Sequence, residues 1–424
     1  MSCRSSLLAS LFSALVLAGC SPYSRTFVPP QSLPPRNLCN ASVSREGPIQ
    51  PSMEPGDEKD CFSRCLDGDE ESCLVYGLLY AQGKVVEQDE KEGARWLERG
   101  CQAGSAKACG VLADMVFAGR GVFKSELRAV ALHDQACEGG EELDCFRAAL
   151  LYSGGRGVKR DVDLAAERFE KACAKGHVTS CSHFGYLLAR GEGVEKDVER
   201  ATLLFTKACA NASALGCSNL GHLYLTGTPS LQRSPARAAE LFAGACDAKN
   251  AAACSALGEL VATGLGVAKD DARAARLFEK GCDGGEAVAC SNLGFLLMEG
   301  NGVEKNEARA AELWNKACEA GEGTGCTGLG VLLAEGRGAP KDEARAAALF
   351  LRACERSHAD GCHNLGVVYA QGRGVAKDEE LASQAFAGAC TLGNPEACKI
   401  VVKETLKKLP PSAEPSTPAS PAPK

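Results

Sequence analysis

Ten pairs of cysteines, the members of each pair separated by seven residues, recur along this chain at intervals of 36 residues. They are Cys65/Cys73, Cys101/Cys109, Cys137/Cys145, Cys173/Cys181, Cys209/Cys217, Cys246/Cys254, Cys282/Cys290, Cys318/Cys326, Cys354/Cys362 and Cys390/Cys398. One step, from Cys209 to Cys246, is 37 residues long, and there Thr228-Pro229-Ser230 stands where other turns read Gly-x-Gly. A period of about 20 to 50 residues marks stacked units, so the chain need not divide into separate globular domains.

The spacing within a pair dictates local geometry. On one continuous helix the two cysteines would lie about 12 Å apart, whereas a disulfide needs Cα atoms about 4.4 to 6.8 Å apart. If the pairs are bridged, the chain reverses between them, clamping the end of one helix to the start of the next. Zinc ligands come at shorter spacings, in clusters of four. Bridges therefore fit better, and neither a metal nor a cofactor is expected. Setting aside Cys3 and Cys20, the two remaining cysteines, Cys39 and Cys61, predict an eleventh bridge.

Each period contains two helices. Residues 181–190 lead into Gly191-Glu192-Gly193-Val194, where glycine can stop a helix in the left-handed conformation. A second helix starts near Asp197 and places Ala201, Leu204, Phe205 and Ala208 at helical spacing up to Cys209. The predicted fold is all-α, a right-handed α/α solenoid of about nine to ten disulfide-bridged hairpins. Aromatic residues are only 5% of the chain, so small side chains and cross-links must replace large rings in the core. The net charge of −7, with both signs interspersed, argues against a nucleic-acid partner.

The ends read differently. Residues 1–20 hold Arg4, an apolar run from Leu7 to Val16, and Leu17-Ala18-Gly19-Cys20, the pattern of a cleaved export signal. The run is too short to span a bilayer. Its last four residues resemble the lipobox of bacterial lipoproteins, which implies a diacylated Cys20 and a stable membrane anchor. Residues 21–56, with eight prolines, are expected to form a tether, residues 57–408 the solenoid, and residues 409–424, with six prolines, a disordered tail.

The repeated unit resembles the Sel-one-like repeat, a relative of the tetratricopeptide repeat. Residues 362–378 carry the likeness: Leu365-Gly366, Tyr369, Gly372-Arg373-Gly374-Val375 and Lys377-Asp378. The added cysteines resemble the disulfide-bridged subgroup typified by the Helicobacter cysteine-rich proteins. Copies depart from the pattern at Gly83-Lys84-Val85 and at Thr228. The subgroup resemblance implies penicillin binding with weak β-lactamase activity as an alternative function. Yet the sequence has no Ser-x-x-Lys, Lys-Thr-Gly, His-Glu-x-x-His, Gly-x-Ser-x-Gly or Walker-type loop. No catalytic residue is expected, and turnover of nitrocefin is the assay that separates the two readings.

His133 occupies a slot, four residues before a cysteine, that elsewhere holds Phe169, Phe205, Phe242, Phe278, Trp314, Phe350 or Phe386, so it is expected in the core. His177 and His358 fall in turns and are expected to be solvated. Counting from the second cysteine of each pair, positions +3, +4, +6 and +7 are Leu, Gly, Ala or Tyr and form a packing face. Positions +2, +5 and +9 vary and fall opposite it. They hold Arg147, His183, Tyr186, Arg190, Asn219, His222, Glu259, Asn292, Phe295, Glu299, Asn364 and Gln371. The family resemblance implies that this row lines a concave groove for a protein, a peptide or a cell-wall ligand. The expected function is a non-catalytic binding scaffold, lipid-anchored in the bacterial cell envelope at the outer membrane.

Overall fold

The computed structural model describes residues 57–83 and 86–408. Cys20, Cys39, the tether and the tail lie outside them. The described residues form twenty α-helices that alternate between two layers. One layer contains α1 (Asp57–Leu66), α3 (Glu90–Ala103), α5 (Glu126–Glu138), α7 (Val162–Ala174), α9 (Val198–Ala210), α11 (Pro235–Asp247), α13 (Asp271–Asp283), α15 (Glu307–Glu319), α17 (Glu343–Glu355) and α19 (Glu379–Thr391). The other contains α2 (Glu70–Gln82), α4 (Ala106–Ala118), α6 (Glu142–Gly154), α8 (Val178–Arg190), α10 (Ala214–Thr226), α12 (Ala251–Thr263), α14 (Ala287–Glu299), α16 (Gly323–Glu335), α18 (Ala359–Gln371) and α20 (Pro395–Lys408). Each helix packs on the next, giving the all-α solenoid read from the sequence. Even-numbered helices of successive units, such as α8 and α10 or α16 and α18, also pack directly on one another. That crowding makes the even layer the inner one.

Local chemistry sets the boundaries. Odd helices from α3 onward start after Asp, Ser or Asn, whose side chain accepts a backbone N–H of the first turn, as Asp270 does from Arg273. Most even helices end at a glycine in the left-handed region, such as Gly300 at φ 76°. Two residues on, Gly302 also has positive φ, and a Cβ there would meet the Asp271 carbonyl carbon at 2.3 Å. The repeated Gly-x-Gly is thus a site of close backbone approach between units. At the longer step the extra residue is absorbed in a tight turn, closed by paired backbone hydrogen bonds between Thr228 and Leu231.

All ten expected bridges are formed, with Cα–Cα separations of 4.4 to 4.7 Å. The first cysteines, Cys65, Cys101, Cys137, Cys173, Cys209, Cys246, Cys282, Cys318, Cys354 and Cys390, lie in the last turn of an odd helix. The second ones do not begin the even helices. Cys73, Cys109, Cys145, Cys181, Cys217, Cys254, Cys290, Cys326, Cys362 and Cys398 each stand fourth in their helix. The helical run read from Cys181 is thereby corrected: it begins at Val178, which leaves Lys175-Gly176-His177 for the reversal. The physical reason is that the backbone N–H of each second cysteine closes the first turn of its helix. It donates to the carbonyl four residues back, as Cys73 does to Asp69 at 3.1 Å, Cys181 to His177 at 3.2 Å and Cys362 to His358 at 3.1 Å. Each bridge therefore staples a completed first turn, rather than a loose chain end, to the helix before it. Cys61 is buried and disulfide-bonded, while the other half of the expected eleventh bridge lies outside the described residues.

Between the layers, the aromatic residue of each odd helix from α9 onward fills the space left by a glycine on the preceding even helix. Gly294 faces Trp314 and Gly258 faces Phe278, where a Cβ would lie 2.4 and 2.7 Å from the rings. His133 is buried as expected, but its slot is polar: Nδ1 is 2.7 Å from Oδ1 of the fully buried Asp144. Asp144 precedes a second cysteine, where other units have Ala, Ser or Gly, and that paired exception was the missed signal.

Candidate binding groove

The twelve residues of the variable row all lie on even helices, but they do not form a uniformly free surface. Position +2 of one unit reaches position +5 of the unit before it. Arg147 is ion-paired with Asp114, and Asn292 donates Nδ2 to Glu259 at 3.3 Å. His183 stacks on Phe169 at 4.9 Å, and the exposed His222 meets Phe242 edge-on at 4.9 Å. Asn219 has a buried Nδ2 without a hydrogen-bond partner. Only the +5 and +9 members Tyr186, Arg190, His222, Glu259, Phe295, Glu299 and Gln371 are exposed, with Arg190 held by Glu192 and lying over the Tyr186 ring. The expectation that position +2 points away from the packing face is corrected. Its side chains fill the seam between neighbouring inner helices, because those helices crowd one another.

His177 and His358 need correction too. Each is a half-buried N-cap, accepting at Nδ1 from the backbone N–H of Ser180 and Gly361 respectively. His358 also bridges two units, 3.0 Å from the Thr327 hydroxyl. Burial pushes the pKa values of His177, His183 and His222 below the ordinary imidazole value of 6.5. A depressed folded-state value means that the unfolded chain binds these protons more readily. Their stabilising contribution is therefore present above the unfolded value and is lost as pH falls through the lower folded one. Protonation of Nδ1 would also remove the His177 cap. The thermal midpoint should decline as pH drops below about 6.5 and level off above about 7.5. A midpoint constant across that window, followed by circular dichroism, would contradict this coupling.

The inner layer holds a recess of about 420 Å³ between α14, α16, α18 and the start of α20. Phe295 and Asn364, far apart in sequence, are brought together in its wall. Phe295 is 44% exposed and packs edge-on against Trp314, with ring centroids 5.1 Å apart. Trp314 is buried, clamped between Gly294 and Gly328, and donates Nε1 to the Ser291 carbonyl at 3.0 Å. Gly328 at +2 and Val331 at +5 line the recess, the Trp314 ring packing against Gly328, while every other unit carries a side chain longer than valine at one or both of these positions. Reading which residues are present did not reveal it, since the signal was side chains missing from the row. The rim carries Asp360, His358 and His363. None of these three belonged to the expected row.

Among the described residues no group of three or more His, Cys, Asp or Glu side chains could hold a metal, and no helix is long and apolar enough to cross a membrane.

A model of the Sel1 repeat family matches nine consecutive segments, residues 70–105, 106–141, 144–177, 181–213, 214–250, 251–286, 287–322, 324–358 and 359–383. No curated protein matches the sequence. Among solved structures, a Sel1 repeat protein from Oxalobacter formigenes is 23% identical with a TM-score of 0.51, the match covering 58% of this chain and 96% of that one. A protective antigen of uropathogenic Escherichia coli strains displaying an SLR fold is 26% identical over 82% of each chain, with a TM-score of 0.49. The Helicobacter pylori cysteine rich protein B is 34% identical over 30% of this chain and 92% of that one, with a TM-score of 0.26.

Proposed function

The chain belongs to the Sel1 repeat family, and we propose that it is an exported, non-catalytic scaffold that binds a protein or peptide along its inner layer. The observation that carries this reading is the open recess beside Phe295, on a surface where Tyr186 and Phe295 remain 44% exposed. Aromatic groups in a concave surface carry disproportionate binding free energy. Ten bridged cysteine pairs suit an oxidising compartment outside the cytoplasm. In this reading residues 1–20 direct export, Cys20 carries the lipid, residues 21–56 lift the solenoid of residues 57–408 off the outer membrane, and residues 409–424 trail from it.

Two experiments test the two halves of the proposal. A benzophenone crosslinker at position 186 or 295 should capture a partner in intact cells, whereas one at position 203, where Leu203 is exposed on α9, should not. Equal capture from all three positions removes the inner layer as the binding surface. For the anchor, Cys20→Ser should abolish incorporation of labelled palmitate and release the protein from membranes. Membrane attachment unchanged by that substitution would rule out lipid at Cys20.

A further inference from the structure

The inner layer changes character along the chain. Helices α10, α12, α14, α16 and α18 contain no Lys or Arg, whereas α13, α15 and α17 behind them carry at least two each. Helices α12, α14, α16 and α18 supply Glu259, Glu299, Glu335 and Asp360, and Glu396 of α20 is paired with Lys399 at 2.6 Å. Glu335 is neutralised by Arg337 at 3.0 Å. Among the described residues the other three have no cation within ion-pair distance. Glu259 accepts from Asn292, and Asp360 from Asn394 at 2.8 Å. Asp360 lines the recess, whereas Glu299 stands one turn beyond Phe295 on α14 and Glu259 reaches α14 through Asn292. On α14, Asn292, Phe295 and Glu299 follow one face, so Glu259 and Glu299 lie on the Phe295 side, while Asp360 lies on the opposite rim.

From this arrangement, and resting on the scaffold reading above, we infer that the recess binds an extended basic segment of a partner protein, with an apolar side chain seated between Phe295 and Val331. Lysine or arginine on either side of that anchor meets Glu259 and Glu299 on one flank and Asp360 on the other. A partner of this charge supplies the counter-charge that these three carboxylates lack, and an acidic one would not.

The test uses the full chain and three fluorescein-labelled peptides, read by anisotropy: Gly-Lys-Lys-Phe-Lys-Lys-Gly, its all-glutamate counterpart Gly-Glu-Glu-Phe-Glu-Glu-Gly, and Gly-Lys-Lys-Ser-Lys-Lys-Gly. The first should bind tightest, and its affinity should fall as salt rises. Combining Glu259→Gln, Glu299→Gln and Asp360→Asn should weaken it by about tenfold. The same charge change on the outer helices, Glu312→Gln with Glu319→Gln and Glu355→Gln, should leave it unaltered. Val331→Trp, which fills the recess, should abolish the advantage of phenylalanine over serine. Because that substitution alters packing, its far-ultraviolet circular dichroism and thermal midpoint are compared with the parent's, and the carboxylate variants test the charge independently. Failure of the lysine peptide to bind, equal binding of the glutamate peptide, or indifference to the inner triple substitution overturns the inference. If the crosslinker at position 295 then still captures a partner, but through a segment without Lys or Arg, the scaffold reading survives the loss of the charge assignment. Loss of capture from both inner positions removes both.

Discussion

Reduction of the ten disulfides should leave the chain unfolded at 37 °C. In the chain-entropy account, a bridge closing nine residues stabilises by about 2.5 kcal/mol, so ten sum to about 25 kcal/mol. Even if strain and residual structure halve that figure, the remaining contribution of about 12 kcal/mol falls in the upper part of the roughly 5 to 15 kcal/mol by which whole proteins are stable. The position of the bridges sharpens the expectation. Cys282 falls in the matched repeat 251–286 and Cys290 in the next, 287–322, so the bridge joins consecutive units. In a quasi-one-dimensional array, stability resides in units and nearest-neighbour interfaces. Replacing Cys282 and Cys290 with Ser should therefore lower stability by about 2 to 3 kcal/mol and split the denaturant transition of the central array. The same change at Cys390 and Cys398, which join α19 to the last helix, should chiefly fray α20. A reduced chain melting like the oxidised one, or identical losses at the two junctions, would refute this account.

The architecture was legible in the sequence because three signals agree in every unit. Cysteines spaced for a reversal, capping residues before each odd helix and glycines after each even one all specify the same hairpin. The Phe169-type slot could also be read, since it recurs four residues before a cysteine. The starts of the even helices were less plain, because their caps vary among Asp69, Ser105, Glu141, His177 and Asn250 while the cysteine one turn later does not. The binding surface was less legible for a different physical reason. Periodicity on an isolated helix distinguishes two faces, but an inner helix of a solenoid has a third, the seam toward the next unit. Position +2 lies in that seam, which is why Arg147 spends its charge on Asp114 and His183 stacks on Phe169. His358 reads as a turn residue in sequence because its contact with Thr327 depends on a neighbour 31 residues away, although its cap is made to Gly361, three residues on. The recess is defined by Gly328 and Val331, whose importance lies in what they do not fill.

Neighbouring positions on α14 separate stability from binding. Leu293 is 4% exposed and faces the core, so Leu293→Ala should cost about 2 to 5 kcal/mol. Trp314→Ala should cost about 3 to 5 kcal/mol, because it removes both the largest side chain of its unit and the partner of Gly294 and Gly328. Two residues after Leu293, Phe295 is 44% exposed and touches the core through the edge of Trp314. Phe295→Ala should therefore cost only about 1 kcal/mol of stability, the aromatic pair alone, while removing one wall of the recess. Tyr186→Ala should cost less, having no buried ring beneath it, and His222→Ala a comparable amount through Phe242. The expected outcome is a crossing pattern. The Phe295 variant keeps its unfolding transition and loses the crosslinked or peptide partner. The Leu293 variant loses stability but binds normally in conditions where it remains folded. Denaturant titration and anisotropy on the same preparations read both axes. If Phe295→Ala destabilises as much as Leu293→Ala, the ring belongs to the core and the recess is an imperfection of packing. If both variants bind as the parent does, the partner must dock elsewhere, and the outer helices with their paired arginines become the surface to probe.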